Sequence, residues 1–214
     1  MNHFFYVSII CILAPFTAIC HVDEADLAKL FEQHCAQLTY KEIPQAPHLI
    51  TFSGTPGMGK SFVAQRLAEH YHAICLNADA LRLVLHSIEQ EPADISGEDL
   101  EQYLAYFIRH YTYPNKRIIL DTSIDRKYTK VFSTAAKYRI PFVVIRLEVP
   151  RELVIKRLEQ REGAKVAWYM SKLDGWFADY KAFGEQLQEC IIYKNGDGDS
   201  WQDFVAALDR RLNC

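Results

Sequence analysis

Hydrophobic and polar positions follow two different periods along this chain. Residues 22–40 place apolar side chains at Leu27, Leu30 and Phe31, a spacing that predicts an amphipathic helix. A linker with two prolines follows at residues 41–47, and from there short apolar runs alternate with segments of helical spacing. Short apolar strands that alternate with helices predict an α/β domain, in which a parallel sheet is covered on both faces.

The predicted elements after the linker are bounded by turn residues. The predicted strands are residues 48–53, 73–76, 117–120, 142–147 and 190–193. The predicted helices are residues 60–71, 79–88, 97–111, 127–138, 152–160 and 201–212, with one or two more helices over 165–188. Ligands of such sheets bind outside the carboxyl ends of the strands, so polar residues that follow the strands are the candidates for function.

The segment between the first strand and the next helix carries the strongest signal. Its sequence is Gly54-Thr55-Pro56-Gly57-Met58-Gly59-Lys60-Ser61, which satisfies the pattern G-x-x-x-x-G-K-[ST]. In this pattern the glycines bring backbone N–H groups close to phosphate oxygens. Lys60 reaches the β and γ oxygens, and the Ser61 hydroxyl is a ligand of Mg²⁺. A glycine-rich turn without a ligand is the alternative.

A second signal follows the second strand, in Asn77-Ala78-Asp79-Ala80-Leu81-Arg82. Asp79 and Arg82 are three residues apart, so they share one face of a helix. Asp79 is placed to take a proton from an acceptor hydroxyl, and Arg82 to hold an anionic group of the acceptor. The alternative is a helix-capping aspartate beside a solvated arginine.

Two further signals lie later in the chain. Asp121 follows an apolar strand and stands where a carboxylate that positions Mg²⁺ is expected, although an Asx-turn that ends the strand is the alternative. Arg157 and Arg161 are four residues apart on one helix face, with no acidic residue three or four positions from Arg157. This pair is suited to stabilise charge on a transferred phosphoryl group, or else is simply solvated.

Composition and charge limit the class of partner. Half of the residues are apolar and 24% are charged, as in a globular domain. A net charge of −3 and a pI near 6.2 argue against a broad basic surface for nucleic acid. The guanine-reading pattern N-K-x-D is absent, since Asn115-Lys116 continues as Arg117-Ile118. The six cysteines include no C-x-x-C pair, so reduced thiols are predicted.

The N-terminus begins with an uncharged apolar run over residues 4–20. Its length is at the short limit of a membrane span, and it is also similar to the apolar part of a secretory signal. Three interpretations stay open. The run is a signal peptide, or it is a membrane tether, or it is an apolar extension that packs on the domain or results from a wrongly assigned start codon. The localisation expected from the sequence is a cytoplasmic catalytic domain that this segment tethers to a membrane or exports.

The four signals, in this order, resemble the P-loop kinase family that includes polynucleotide 5′-hydroxyl kinases and zeta-toxin-like kinases, an AAA-type ATP-binding kinase domain. The family pattern reads here as GTPGMGKS, DALR, DTS and RLEQR, over about residues 48–195. The resemblance implies a P-loop NTPase fold with a five-stranded parallel sheet of the nucleoside-monophosphate-kinase type and a helical lid. It implies that Asp79 is the general base, that Arg82 binds the acceptor, and that Arg157 and Arg161 belong to the lid.

The domain organisation follows from this resemblance. Residues 1–21 are the apolar leader, 22–47 the N-terminal helix and linker, and 48–214 the kinase domain, with the lid at about 151–188.

One departure from the family pattern bears on the identity of the acceptor. After DTS the polynucleotide kinases tend to continue L-N-P-E-R, whereas this chain has Ile-Asp-Arg-Lys-Tyr at 124–128, which argues against a nucleic-acid acceptor.

The predicted activity is transfer of the γ-phosphoryl group of ATP, with Mg²⁺, to a hydroxyl of a small-molecule or nucleotide-like acceptor by a monomeric enzyme. The alternatives are a zeta-toxin-like kinase of a sugar nucleotide and a nucleotide-binding regulatory module without transfer activity.

Two further segments have two interpretations each. Residues 195–198 either border the adenine or form a turn. Four aromatic residues of the lid region either line a substrate pocket or pack in the core: Trp168, Tyr169, Trp176 and Phe177.

Overall fold

The structure, a computed structural model of the 214-residue chain, describes residues 23–36, 46–82, 97–111, 117–195 and 200–213. The strands are β1 (Leu49–Ser53), β2 (Ile74–Asn77), β3 (Ile118–Ser123), β4 (Phe142–Glu148) and β5 (Ile191–Lys194). The helices are α1 (Glu24–Ala36), α2 (Lys60–Tyr71), α3 (Gly97–Tyr111), α4 (Tyr128–Lys137), α5 (Arg151–Glu162), α6 (Val166–Gln186) and α7 (Trp201–Leu212). Residues 78–82 are also helical.

The strands form one five-stranded sheet in the order β2-β3-β1-β4-β5, and every pair of neighbours is parallel. Strand β1 lies in the centre, where all five of its residues are buried. The carboxyl ends of all five strands therefore meet at one edge of the sheet, and the phosphate loop leaves β1 at this edge. The predicted five-stranded parallel sheet is confirmed.

Two apolar clusters cover the two faces of the sheet. One cluster joins α1, α3 and α4 to the sheet and includes the fully buried Tyr103 and Phe107 of α3. Leu27 and Leu30 of α1 belong to it, so the N-terminal helix packs on the same core as the sheet. The other cluster joins α2, α5, α6 and α7. Apolar cover on both faces explains why the strands read as continuous apolar runs.

Most predicted boundaries agree with the structure. Helices α2, α3 and α7 begin and end at the predicted residues, and the other elements differ by a few residues at their ends. One prediction needs correction, because strand β3 continues three residues beyond Leu120. The segment predicted as one or two helices is a single helix, α6, preceded by a short 3₁₀ turn at Gly163–Lys165. The predicted helix over 79–88 begins at residue 78 and is described to residue 82.

Cys75 and Cys190 are free thiols, which agrees with the prediction of reduced cysteines at these two positions. Burial, with a smaller contribution from the Asp121 carboxylate, raises the pKa of the Cys75 thiol to about 12. Cys75 therefore stays protonated at neutral pH and packs as a small apolar side chain.

The localisation expected from the sequence is corrected by the structure. Across the described residues, no helix combines the length and the apolar character that crossing a membrane requires. The apolar run at residues 4–20, on which that expectation depended, lies outside the described residues.

Candidate active site

The phosphate loop occupies residues 54–61, between the end of β1 and the first turn of α2. Gly57 and Gly59 have φ angles of 84° and 90°, a region that glycine adopts without steric cost. These two glycines turn the backbone around the N-terminus of α2. The N–H groups of a helix N-terminus are without intrahelical acceptors and favour a negative charge, so the loop is built to receive an anion.

Lys60 is held against the loop by the loop itself. Its ammonium group donates hydrogen bonds to the carbonyl oxygens of Gly54 at 3.0 Å and Thr55 at 2.9 Å. These contacts curl the lysine back over the turn that precedes it. The positive charge of the side chain thus lies beside the backbone amides of the loop, where both attract phosphate oxygens.

A chain of hydrogen bonds connects the phosphate loop to Asp79. The Ser61 hydroxyl donates to one oxygen of Asp121 at 3.1 Å, and the Asn77 amide donates to the other at 3.3 Å. The side-chain oxygen of Asn77 then accepts from the backbone N–H of Asp79 at 2.6 Å. The ends of β1, β3 and β2 are thereby joined by polar contacts in one row.

Asp121 lies inside β3 rather than after it. The pairing of β1 with β3 shifts between Thr51, opposite Leu120, and Phe52, opposite Ser123, while Asp121 pairs with Asn77 of β2. Such an irregularity bends a strand and changes the direction of its side chains. It brings the carboxylate of Asp121, which is only 8% exposed, to Ser61. The Asx-turn alternative is therefore wrong.

Asp79 and Arg82 lie on the helical segment 78–82 and form an ion pair with each other. The side chain of Asp79 is 69% exposed and that of Arg82 is 38% exposed. A surface pair of this kind contributes little to stability. Both charged groups are open to a ligand that approaches the edge of the sheet next to Asn77.

Arg157 and Asn195 contact the phosphate loop from the lid side. The guanidinium of Arg157 donates to the carbonyl oxygens of Gly57 at 3.5 Å and Asn195 at 3.0 Å. The side-chain amide of Asn195 donates to the carbonyl oxygen of Met58 at 2.8 Å. These hydrogen bonds therefore connect the phosphate loop to helix α5 and to the end of β5. Arg161 lies one turn further along α5, and its side chain is outside the described part of the chain.

A cleft of about 450 Å³ opens beside these contacts. Phe62, Arg157, Gln160 and Asn195 line it together with glycines of the loop. Phe62 follows Ser61 directly and is 59% exposed, and the Arg66 guanidinium lies 5.5 Å from the centroid of its ring. The volume of the cleft lies within the range of small-molecule sites.

Four aromatic residues of α6 are predicted either to line a substrate pocket or to pack in the core. Tyr169, Trp176 and Phe177 are partly buried and pack against the core, as most aromatics at helical spacing do. Trp168 is 56% exposed, although its ring contacts those of Tyr169 and Trp176 edge to face at 5.1 and 5.7 Å. The core interpretation therefore holds for three of the four residues.

Asn77 and Asp125 contribute contacts at the site that the sequence does not predict. For Asn195, which the sequence places in an adenine border or a turn, it is the contact with the phosphate loop that is not predicted. The sequence assigns no role to Asn77 and treats Asp125 only as a departure from a family pattern. The Asp125 carboxylate accepts a hydrogen bond from the N–H of Gly54 at 3.2 Å. A polar residue directly after a strand is the signal for Asn195, and a polar residue at a strand end is the signal for Asn77. The rest of the predicted adenine border or turn, residues 196–198, lies outside the described part of the chain.

Gly59 provides a test of the contact between Asn195 and the loop. A Cβ at this position would lie 2.3 Å from the Asn195 amide nitrogen, and φ is 90°. We expect Gly59→Ala to displace Asn195, to cost about 1–3 kcal/mol of strain and to weaken ATP binding at least about tenfold, which is 1.4 kcal/mol. Titration calorimetry with ATP measures the affinity, and thermal melting measures the stability.

Gly175→Ala is the matched control. Gly175 lies inside α6, and in the described part of the chain no atom beyond its chain neighbours and the backbone of its own helix lies within 4 Å of the place that an alanine methyl group would occupy. Alanine there should leave ATP binding unchanged and stabilise the helix slightly. Equal ATP affinity for Gly59→Ala and the original protein would contradict the proposed geometry of the loop.

Comparison with known proteins defines the class. A family described as an AAA domain matches residues 49–180, which is more than half of the chain. The chain therefore belongs to this family, and its fold is that of the P-loop NTPase kinases. No curated protein sequence matches the chain.

Solved structures of low sequence identity share the fold. A chain from the PezAT chromosomal toxin–antitoxin system of Streptococcus pneumoniae gives a TM-score of 0.55 at 12% identity, over 90% of this chain and 96% of that one. A sugar kinase from Janibacter sp. HTCC2649 gives 0.51 at 18% identity, over 79% and 95%. The YorR protein of Bacillus subtilis, in complex with phosphorylated GDP, gives 0.51 at 14% identity, over 78% and 98%.

Proposed function

We propose that this protein transfers the γ-phosphoryl group of ATP to a hydroxyl group of a small-molecule or nucleotide-like acceptor. The observation that carries the proposal is the row of hydrogen bonds from Ser61 through Asp121 and Asn77 to Asp79. It connects the loop that would hold the donor phosphates to an exposed carboxylate on the neighbouring strand end. Phosphoryl transfer depends mainly on such positioning of donor and acceptor, together with electrostatic stabilisation.

The donor side is formed by the phosphate loop and the cleft beside it. The amides of the loop and the N-terminus of α2 would bind the phosphates, with the ammonium of Lys60 at the β and γ oxygens. The base would enter the cleft of about 450 Å³ between Phe62 and the lid side. Phe62 offers a ring for stacking, while Gln160 and Asn195 offer amide groups for hydrogen bonds.

The residues present fit a magnesium ion. The Ser61 hydroxyl and the Asp121 carboxylate touch each other and are oxygen donors of the type that Mg²⁺ prefers. Ser61 would bind the ion directly, and Asp121 would hold it directly or through a water molecule. When bound, Mg²⁺ neutralises negative charge on the phosphates. Asn77 keeps the Asp121 carboxylate in place by holding its second oxygen.

The acceptor side is formed by Asp79 and Arg82. The oxygen of the acceptor hydroxyl would attack the γ phosphorus while its proton moves to a carboxylate oxygen of Asp79. The bond between the γ phosphorus and the β–γ bridging oxygen would break, and ADP would leave. Arg82 would position an anionic or polar group of the acceptor, and its ion pair with Asp79 would open for that contact. Because both side chains are exposed, the acceptor has access to them without movement of the core.

The lid arginines complete the proposal. Arg157 contacts carbonyl oxygens at Gly57 and Asn195, so it connects the lid helix to the loop at the edge of the donor cleft. Arg161, four residues later on α5, follows on the same face of the helix. We assign to this pair the stabilisation of charge on the phosphoryl group during transfer.

Transfer from ATP labelled in its γ phosphate tests the proposal. Nucleosides, sugars, sugar nucleotides, aminoglycosides and 5′-hydroxyl oligonucleotides are offered separately, and label in the acceptor is counted. Label in any acceptor other than water supports the proposal and names the acceptor class. ATP binding without acceptor-stimulated ADP release across the panel would instead support a regulatory module that binds nucleotide and transfers nothing.

A further inference from the structure

The turn after β3 brings a second carboxylate to the phosphate loop. After the shifted pairing of β3, the N–H of Ile124 donates to the carbonyl oxygen of Phe52 at 3.1 Å. The N–H of Lys127 donates to the carbonyl oxygen of Ile124 at 2.8 Å, which closes a turn over residues 124–127. This turn is therefore anchored to the end of β1, just before the loop begins.

Asp125 lies in this turn and holds the first residue of the loop. Its carboxylate accepts from the N–H of Gly54 at 3.2 Å, across 71 residues of sequence. The N–H of Asp125 itself donates to the Ser123 hydroxyl at 3.4 Å, so the aspartate is fixed from its own backbone as well.

The backbone of Gly54 is held through both of its polar groups. Asp125 binds its N–H, and Lys60 binds its carbonyl oxygen at 3.0 Å. The φ angle of Gly54 is 154°, and a Cβ there would lie 3.0 Å from the sulfur of Met58. The loop therefore leaves β1 in a conformation that two charged side chains fix.

The surroundings of Asp125 make a carboxylate costly to keep there. Burial raises the pKa of the Asp125 carboxyl, while the Ser53 and Ser123 hydroxyls, the Lys60 ammonium and the Gly54 amide act to lower it. Tyr180 of α6 and the charged Arg146 and Glu148 of β4 also belong to its electrostatic surroundings, and the Arg146 guanidinium lies 3.9 Å from the centroid of the Tyr180 ring. A carboxylate placed among such groups indicates a specific task rather than surface solvation.

We propose that Asp125 is a positioning residue, whose hydrogen bond to Gly54 fixes the entrance of the phosphate loop and so aligns the loop amides for the nucleotide. This inference rests on the proposed function, because the aligned amides are those assigned to the donor phosphates. The inference assigns the alignment of the loop amides to the hydrogen bond that Asp125 accepts, and not to the negative charge of Asp125. Asparagine at this position should therefore preserve it, since its amide oxygen also accepts from an N–H.

Hydrogen exchange and nucleotide affinity of two variants test this inference. We expect Asp125→Ala to accelerate exchange of the loop amides of Gly54, Thr55, Gly57 and Met58 about tenfold and to weaken ATP binding about tenfold, which is 1.4 kcal/mol. Asp125→Asn should stay within about threefold of the original protein in both measurements, since the acceptor oxygen remains. Exchange is measured by mass spectrometry without nucleotide, and affinity by titration calorimetry.

Asp179→Ala is the matched control. Asp179 pairs with the neighbouring Arg126 at 3.6 Å, and its side chain is 42% exposed, so its loss should change neither loop exchange nor ATP affinity. Original exchange rates in Asp125→Ala would overturn the inference. Equal damage from Asp125→Asn would also overturn it, because the charge rather than the hydrogen bond would then be the cause.

The unaltered protein provides a measurement that does not depend on the folding of a variant. The Gly54 amide should exchange at least about tenfold more slowly than an unprotected amide, because it is bonded to Asp125. Exchange of Gly54 at the unprotected rate would overturn the inference. These exchange results stand whether or not phosphoryl transfer is detected, so failure of the proposed function is recognised separately, by the absence of transfer to any acceptor.

Discussion

Replacing Lys60 with methionine is expected to lower phosphoryl transfer by about 10²- to 10³-fold, the range found when one preorganised donor to a developing charge is removed. ATP affinity should fall as well, because the ammonium would bind the phosphates before and during transfer. Methionine keeps the length and the apolar stem of lysine but donates no hydrogen bond. Transfer is measured with labelled ATP, and affinity by titration calorimetry.

A second effect of the same substitution concerns the loop itself. Lys60 donates to the carbonyl oxygens of Gly54 and Thr55, so methionine also removes two contacts that hold the turn. Lys60→Arg separates the two effects, since arginine keeps the charge but presents it as a planar fork that does not match the site of an ammonium. We expect it to bind ATP better than Lys60→Met and to remain well below the original protein in transfer.

Lys29→Met is the control for these variants. Lys29 lies on α1, its side chain is 71% exposed, and its pair with Asp26 is of the surface type that contributes little. Its loss should leave transfer and ATP affinity unchanged. Full ATP affinity in Lys60→Met would show that the loop does not receive phosphate in the way proposed.

The sequence predicts best where the deciding interactions are local. Helices α2 and α7 begin and end at the predicted residues because apolar spacing along the helix decides which face is buried. The phosphate loop is equally local, since its glycines and Lys60 act within eight consecutive residues. A short pattern between an apolar run and a helical segment is sufficient to place it.

Strand β3 shows where a local pattern fails. Its apolar run ends at Leu120, so the sequence predicts an end there, yet the strand continues to Ser123. Pairing with the neighbouring strands explains why β3 is longer than predicted. Asp121 pairs with Asn77 of β2, and Ser123 pairs with Phe52 of β1. Backbone partners on two neighbouring strands outweigh the low strand preference of the polar residues.

The contacts inside the candidate site join residues that are far apart in sequence. Asn77 meets Asp121 across 44 residues, Gly54 meets Asp125 across 71, and Asn195 meets Met58 across 137. A motif identifies residue types near a strand end, but the shift of β3 and the turn after it decide which side chains touch. The order of the motifs therefore predicts where the candidate site lies, and the structure shows which of the side chains there touch one another.

Replacing Asp79 with asparagine is expected to abolish transfer while ATP still binds. A general base contributes about 10²- to 10⁴-fold to the rate, and asparagine cannot accept the proton of the acceptor hydroxyl. Asp79 lies at the end of the row of contacts that starts at Ser61, but it joins that row through its backbone N–H. The substitution therefore leaves the contacts of Asn77, Asp121 and Ser61 in place, and ATP affinity should stay within about threefold, less than 1 kcal/mol.

Asp174→Asn is the matched control, because Asp174 is also an exposed aspartate that pairs with an arginine, Arg151. It should retain full transfer, which excludes a general effect of removing a surface ion pair. If Asp79→Asn keeps normal turnover, Asp79 is not the base. If it loses ATP affinity as strongly as Lys60→Met does, Asp79 supports the loop instead of the acceptor. Loss of transfer with ATP affinity preserved would distinguish a carboxylate that activates the acceptor from these two alternatives. Only the acceptor side of the site would then depend on the charge of Asp79.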